Sequence, residues 1–271
     1  MGKNDLGQAS FRDRYGSWAL VAGASEGIGE SFARQLAAHG FGLVLLARRP
    51  GPLDALAGTL RAAGVTVRTA VIDLTSADLV DQVRQVTDDL PIGLLVYNAG
   101  AVHGADTFLG RPVEHGLSLM HLNCRGPLLL THHFATRMAE RGRGGMILVT
   151  SMSAAAGCAR NAVYSAAKSF ELIFAEGLWA ELQPCGVDVL ACVAGATRTP
   201  SLINTGARFE GGGFSIMESD DVAAEALAHI ADGPMWVVGE DNRRIAAHFW
   251  PVPRADLVRA LSAGTAAMWD R

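Results

Sequence analysis

The sequence predicts an α/β protein: one doubly wound parallel sheet of about seven strands, with helices on both faces in three α/β/α layers. Three observations carry this. Short apolar runs alternate with longer helical stretches along the chain. Those runs are nearly continuous, as expected for strands covered on both faces. The first of them leads through a glycine-rich turn into the first helical stretch. Strict alternation implies right-handed crossovers, hence parallel neighbours.

The strand candidates in order are "WALVAG" (18–23), "FGLVLLA" (41–47), "VTVRTAVI" (65–72), "IGLLVYN" (92–98), "GMILVTS" (145–151), "VDVLACV" (187–193) and "MWVVG" (235–239). Helical stretches lie near 28–39, 52–63, 76–90, 113–140, 161–183 and 220–232. No repeat, low-complexity tract or internal linker divides the chain, so it reads as an N-terminal tail (1–16), one domain (17–240) and a C-terminal extension (241–271) packed on the domain or at a subunit contact. Residues 200–218 break the alternation with a Gly triplet between Phe209 and Phe214. A long irregular segment after the sixth strand falls at the carboxyl edge of the sheet, where such folds bind ligands, and reads as a substrate lid.

With 49% hydrophobic and 18% charged residues, the 271-residue chain has ample material for a core. A net charge of −4 with no basic stripe argues against nucleic acid as the main partner. The polar start, "MGKNDLGQASFRDRYG", lacks the apolar run of a signal peptide, and no apolar stretch approaches the roughly 18 residues of a membrane span. A cytoplasmic protein is expected. Cys124, Cys158, Cys185 and Cys192 have no zinc-like spacing and read as reduced, buried or half-buried thiols. His132 and His133 are adjacent on a helix and face different directions, so no metal is expected.

"VAGASEGIGE" places Gly23, Gly27 and Gly29 between the first strand and first helix, with Ser25 and Ile28 in the same loop. Glycine permits the turn and a close approach to a pyrophosphate, and the helix N-terminus offers free N–H donors. A plain tight turn is the competing reading, but the strand–loop–helix context is what nucleotide binding requires. The sheet is therefore read as Rossmann-type. The second strand ends in Arg48 and Arg49, where an NAD-binding protein would offer a carboxylate to the ribose 2′-hydroxyl. A guanidinium binds a 2′-phosphate in a bidentate fork, which predicts NADP(H) over NAD(H). Glu26 opposes this unless it points away, and a solvated surface arginine is the bland alternative. Asp73 ends the third strand, followed by Leu74, and is placed to accept from an adenine amino group; its rival role as a helix N-cap suits Ser76 better. Asn98, Ala99 and Gly100 close the fourth strand where strand order would reverse.

Lys168 is one of only two lysines, against 21 arginines, and stands four residues after Tyr164 on a shared helix face. A phenol ionises near pH 10 and carries protons poorly at neutral pH, and a nearby ammonium favours the phenolate. A compact ammonium suits that site where a planar fork does not.

The sequence resembles the short-chain dehydrogenase/reductase family. "AGASEGIG", "YNAG", "SMSAAAG", "YSAAK" and "AGATRT" occur in the family's order between residue 17 and about 199. The resemblance implies Tyr164 as acid/base, Lys168 as the residue that lowers its pKa and holds the ribose, and Ser151 as hydrogen-bond partner of the substrate oxygen, with Ser153 a rival of poorer spacing. It implies Asn123 as the residue ordering a relay water, Thr199 (Thr197 second) as a nicotinamide contact, and Gly195 in the turn beneath it. It further implies a homodimer or homotetramer through the two long helices. Two departures are Ala194 where the family has Pro and Tyr97 where it commonly has Asn; the first would loosen the turn supporting the nicotinamide.

The expected activity is hydride transfer between NADP(H) and a carbonyl or secondary alcohol. Leu202, Ile203, Phe209, Phe214, Ile216 and Met217 suggest an apolar substrate, although lids are often apolar for closure alone. His103 is a candidate at the pocket mouth, His121 at a helix–helix contact, and Phe174, Leu178, Trp179 and Leu182 form one apolar face. Two other classes stay open: a dinucleotide sensor without turnover, and a net-neutral epimerase or lyase.

Overall fold

The computed structural model describes residues 11–100, 107–157, 159–204, 215–256 and 258–259. His103, Cys158, Phe209 and Phe214 lie outside them. Strands β1 (Trp18–Ala22), β2 (Gly42–Ala47), β3 (Val67–Val71), β4 (Ile92–Tyr97), β5 (Gly144–Ser151) and β6 (Val187–Ala194) form one sheet with β9 (Met235–Val237). Its order is β3-β2-β1-β4-β5-β6-β9, and every neighbouring pair is parallel. A separate ribbon pairs β7 (Thr197–Arg198) with β8 (Met217–Glu218).

The continuous apolar runs have a direct explanation. Ala19, Val21, Leu43 and Leu45 join one core, while Leu20, Ala22, Val44 and Leu46 join the other, on the opposite face. Successive strand residues point to opposite faces, and both faces are covered. Helices α1 (Gly27–Ala38), α2 (Pro50–Ala62) and α8 (Ser219–Ala228) supply the first layer through Phe32, Leu36, Leu53, Val222 and Ala226. Helices α3 (Leu79–Thr87), α5 (Gly126–Arg141) and α6 (Ala162–Leu182) supply the other through Val83, Phe134, Met138 and Leu172. Each fully buried Leu or Phe contributes roughly 2 kcal/mol of transfer free energy, so the two cores dominate stability. β1 pairs with β2 on one side and β4 on the other, so the crevice where strand order reverses opens at their carboxyl ends.

The expected long helix over 113–140 is present and carries an internal π turn. Helix α4 (Val113–Met120) passes into a π turn, His121–Arg125, before α5 begins. Pro127 has no N–H to offer the carbonyl of Asn123 four residues earlier. From β4, the Tyr97 hydroxyl donates to Leu122 O at 2.6 Å, and the Asn123 amide donates to Leu119 O at 2.9 Å. Gly126 is required here, because a Cβ would collide with the Tyr97 hydroxyl.

Other expectations shift. Ser76 does not cap α3; that helix starts later, with Asp78 at the N-cap position, and the Ser76 hydroxyl bonds Asp78 instead. Trp179 turns into the core, whereas Phe174, Leu178 and Leu182 stay half-buried beside a groove facing α5, so the four do not share one face. His121 is exposed on this chain rather than packed between helices. Cys124 and Cys192 are buried, but Cys185 is exposed. Beyond β9 comes helix α9 (Glu240–Phe249), and after it Arg254 reaches α6, where it forks Glu176 at 2.5 and 2.6 Å. Among the described residues no helix is long and apolar enough to cross a membrane.

Candidate active site

The glycine loop is shaped by contacts that only glycine tolerates. Gly23 and Gly27 adopt φ of 84° and 56°. A Cβ on Gly23 would lie 2.7 Å from the Ala99 backbone, one on Gly27 would lie 2.9 Å from Thr199, and one on Gly29 would strike Gly23 O. The loop is tied down on both sides. Gly23 and Ala24 N–H donate to Leu46 O, Asn98 and Ala99 N–H donate to Ala22 O, and the Asn98 amide reaches Gly23 O at 3.0 Å. Glu26 occupies the N-cap of α1 without bonding the helix through its side chain. The first-turn N–H groups are thus presented to the crevice as an anion cradle. Ser25 and Ile28, both half-buried, complete the loop.

At the end of β2 the two arginines differ. Arg49 is bound by Glu26 at 2.5 Å. Arg48 is exposed, and among the described residues no ion pair engages it. It lies near Asp73, whose carboxyl sits below its ordinary range chiefly because the Thr75 N–H and hydroxyl bond it at 2.9 and 2.8 Å, with a smaller contribution from Arg48. Leu74, the next residue, is buried beneath.

The remaining residues gather where β4, β5, the π turn and α6 meet. Ser151 ends β5, and its Oγ accepts the Ser153 N–H at 3.2 Å. That bond leaves the Ser151 O–H free to donate, and makes Ser153 a support for Ser151 through its backbone. Tyr164 sits half-buried in the first turn of α6, with the Lys168 ammonium 5.9 Å from its ring centre. Lys168 is buried and donates to Val149 O at 2.9 Å and to Glu171 at 2.8 Å, while Thr150 fixes the backbone of Lys168 at 2.7 Å. Asn123 is fully buried, and among the described residues its Oδ1 has no hydrogen-bond partner. A Cβ on Gly100 would lie 2.9 Å from that oxygen and 3.2 Å from the Lys168 ammonium. The structure thus brings Gly100, Asn123 and Lys168 to one point.

At the end of β6, which lies in register with Ser151, Thr197 is buried and bonds Gly195 O at 3.1 Å. Thr199 N-caps the short helix α7 (Pro200–Ile203) by accepting the Leu202 N–H. Asn242 of α9 packs against Gly195, where any Cβ would collide with it, and donates to Val238 O at 2.7 Å. The turn after Ala194 is therefore braced from the C-terminal helix rather than loosened.

Sequence reasoning missed two residues, Asn242 and Glu171. Asn242 carried no signal, lying outside every motif. Glu171 had one: an acid one turn beyond the lysine, on the same face.

A dinucleotide suits these groups. The glycine cradle would take its phosphates, and the unpartnered Asn123 oxygen and the Lys168 ammonium meet beside Gly100. The fold and cradle define a Rossmann-type nucleotide-binding α/β protein. The model of the short chain dehydrogenase family matches residues 17–208, and the chain belongs to that family; the relatives it matches are named as oxidoreductases of the CH–OH/C=O pair. It is 29% identical to a 7beta-hydroxysteroid dehydrogenase of Collinsella aerofaciens, over 89% of this chain and 92% of that one. It is 35% identical to a very-long-chain 3-oxoacyl-CoA reductase of Pyricularia oryzae, over 64% of this chain and 54% of the relative. A short-chain dehydrogenase from Sphingobium yanoikuyae, solved in complex with NADPH, superposes with a TM-score of 0.78 at 30% identity, over 93% of this chain and 95% of that one.

Proposed function

We propose that the protein is an NADP(H)-dependent reductase of bulky, largely apolar ketones, with the reverse oxidation of the secondary alcohol available to the same site. The observation that carries this reading is the convergence of Gly100, Asn123 and the buried Lys168 ammonium beside Tyr164. A sensor needs only the glycine loop, and the convergence has no role in one.

A bound nicotinamide supplies the hydride. The protein's residues supply the rest. Ser151, with its Oγ held by the Ser153 amide, donates a hydrogen bond to the substrate oxygen and keeps its proton. Tyr164 donates the second hydrogen bond and delivers its proton as alkoxide charge develops, combining general acid catalysis with electrostatic stabilisation. Lys168 favours the phenolate left behind and hydrogen-bonds the ribose. Asn123 holds the water that refills the relay. Gly23, Ser25, Gly27, Ile28 and Gly29 cradle the phosphates, Arg48 reads the 2′-phosphate, and Asp73 with Leu74 receives the adenine. Asn98 and Ala99 fix the loop, and Gly195, Thr197 and Thr199 seat the nicotinamide amide.

The substrate class is supported by Leu202, Ile203, Ile216 and Met217, together with relatives named for a hydroxysteroid and for a long acyl chain. Pairing of two copies through α5 and α6 is supported by the apolar groove of Leu128, Ala135, Phe174 and Leu178. A cytoplasmic site is supported by the free thiols.

The test is NADPH oxidation over a panel of steroid, aromatic and long-chain acyl ketones. Consumption with at least one bulky ketone, slower with NADH, is expected. Tight NADPH binding without consumption across the panel would point to a sensor, and product formed without net cofactor change to an epimerase or lyase.

A further inference from the structure

Helix α6 carries a second charge into the core one turn beyond Lys168. The Glu171 side chain is 1% exposed, with Oε2 at 2.8 Å from the Lys168 ammonium. Its Oε1 is buried and has no hydrogen-bond partner among the described residues. Burial pushes this carboxyl up to about 7, against the pull of Lys168. Lys168 is drawn down by burial, but the attraction of Glu171 and then Tyr164 leaves it above its ordinary value. Groups from the other packed elements feel the same acid. Tyr97 on β4 and Cys124 in the π turn are raised first by burial and then by the Glu171 charge, Cys124 to about 11. Cys192 on β6 is raised to about 12 by burial and by Glu225, and lowered slightly by Lys168. The facing set is thus Lys168, Tyr164, Tyr97 and Cys124, with Cys192 behind the lysine.

An ammonium acts on a neighbouring phenol through its net field. A carboxylate 2.8 Å from that ammonium, on a rigid helix and out of water, cancels much of the field. The lysine is then held in place without its full charge acting on Tyr164. We propose that Glu171 is a positioning residue of the proton transfer: it offsets the Lys168 ammonium and so keeps the Tyr164 phenol protonated to higher pH, which favours the ketone-reducing direction. This rests on the roles given above to Tyr164 and Lys168.

The chain permits a test that needs neither substrate nor turnover. It has three tyrosines, Tyr15, Tyr97 and Tyr164. Burial pushes Tyr15 and Tyr97 well up, and the first step of an ultraviolet titration is assigned by its loss in Tyr164→Phe. In Glu171→Gln this first step is expected to move to lower pH by about one unit, as loss of a compensating charge at this range implies. Glu171→Asp, which keeps the charge, is expected to stay nearer the wild type. The basic limb of kcat/KM for ketone reduction should follow the same order. Glu171→Met, of similar length and uncharged, repeats the measurement should the amide not fold. A first step that is unmoved or raised in the folded uncharged variant overturns the inference, even if ketone turnover is present. A step that moves as expected in a protein that reduces no ketone upholds it and rejects the substrate reading instead.

Discussion

Helix α6 buries two carboxylates five residues apart and treats them differently. Glu176 meets the guanidinium of Arg254, which satisfies both its oxygens at 2.5 and 2.6 Å. Glu171 meets the Lys168 ammonium through one oxygen, and the other has no partner among the described residues. The planar fork of arginine matches a carboxylate and closes the pair, whereas an ammonium is a point charge with protons to spare. The first pair fastens the segment after α9 to the domain. The second remains open, at the point where Asn123 and Gly100 converge. This is a physical reason for a lysine at 168 in a chain otherwise rich in arginine: a fork there would bind Glu171 as fully as Arg254 binds Glu176.

The sharpest way to break this comparison is Lys168→Met. We expect kcat/KM to fall by about 10³-fold, the scale of a lost proton-transfer group. Stability should fall too, by about 3 kcal/mol at alkaline pH, because Glu171 is left buried without its counter-charge. The sign with pH is fixed by the raised carboxyl. Its folded value, about 7, lies above that of an unfolded glutamate, so the folded state binds the proton more tightly between the two. Its contribution is therefore fully present at low pH and lost as pH rises through about 7. Thermal melts of the variant at about pH 6 and pH 8 should show the larger deficit at pH 8; equal deficits would contradict an unpaired buried acid.

Arg254→Ala tests the closed pair. A loss of about 3 kcal/mol is expected from leaving Glu176 unpaired, with kcat/KM within about twofold of wild type. Replacing both partners, Glu176→Met with Arg254→Met, should recover much of that stability. Loss of turnover matching that of Lys168→Met would erase the distinction between the two pairs.

The smallest effects concern the arginines at β2. Arg48→Asp should lower the NADPH-over-NADH preference about tenfold, whereas Glu26→Gln, by releasing Arg49, should raise it about two- to threefold. Kinetics with both cofactors read this directly, and an unchanged ratio in both variants would remove the 2′-phosphate role.

The strands were legible because both faces of the sheet are covered, so runs such as residues 43–46 are apolar without interruption. The glycine loop was legible because its demands are local: positive φ and close approach at Gly23 and Gly27. What escaped depends on partners remote in sequence. The π turn needs the Tyr97 hydroxyl, 25 residues before Leu122. The unequal fates of Arg48 and Arg49 depend on Glu26, in a different loop. The bracing of Gly195 comes from Asn242, beyond the last main strand. Glu171 looks like one more polar residue on a long helix until the packing of α6 shows which face it occupies.

The central claim is hydride delivery to a ketone with Tyr164 as proton donor. The most direct measurement is a single turnover with NADPH deuterated on the transferring face of its reactive carbon, using wild type and Tyr164→Phe and reading the product by mass spectrometry. Wild type should place deuterium on the carbinol carbon, and the variant should do so at a rate lower by about 10³-fold with NADPH binding largely kept. Product without deuterium, or label transfer undiminished in Tyr164→Phe, would contradict it.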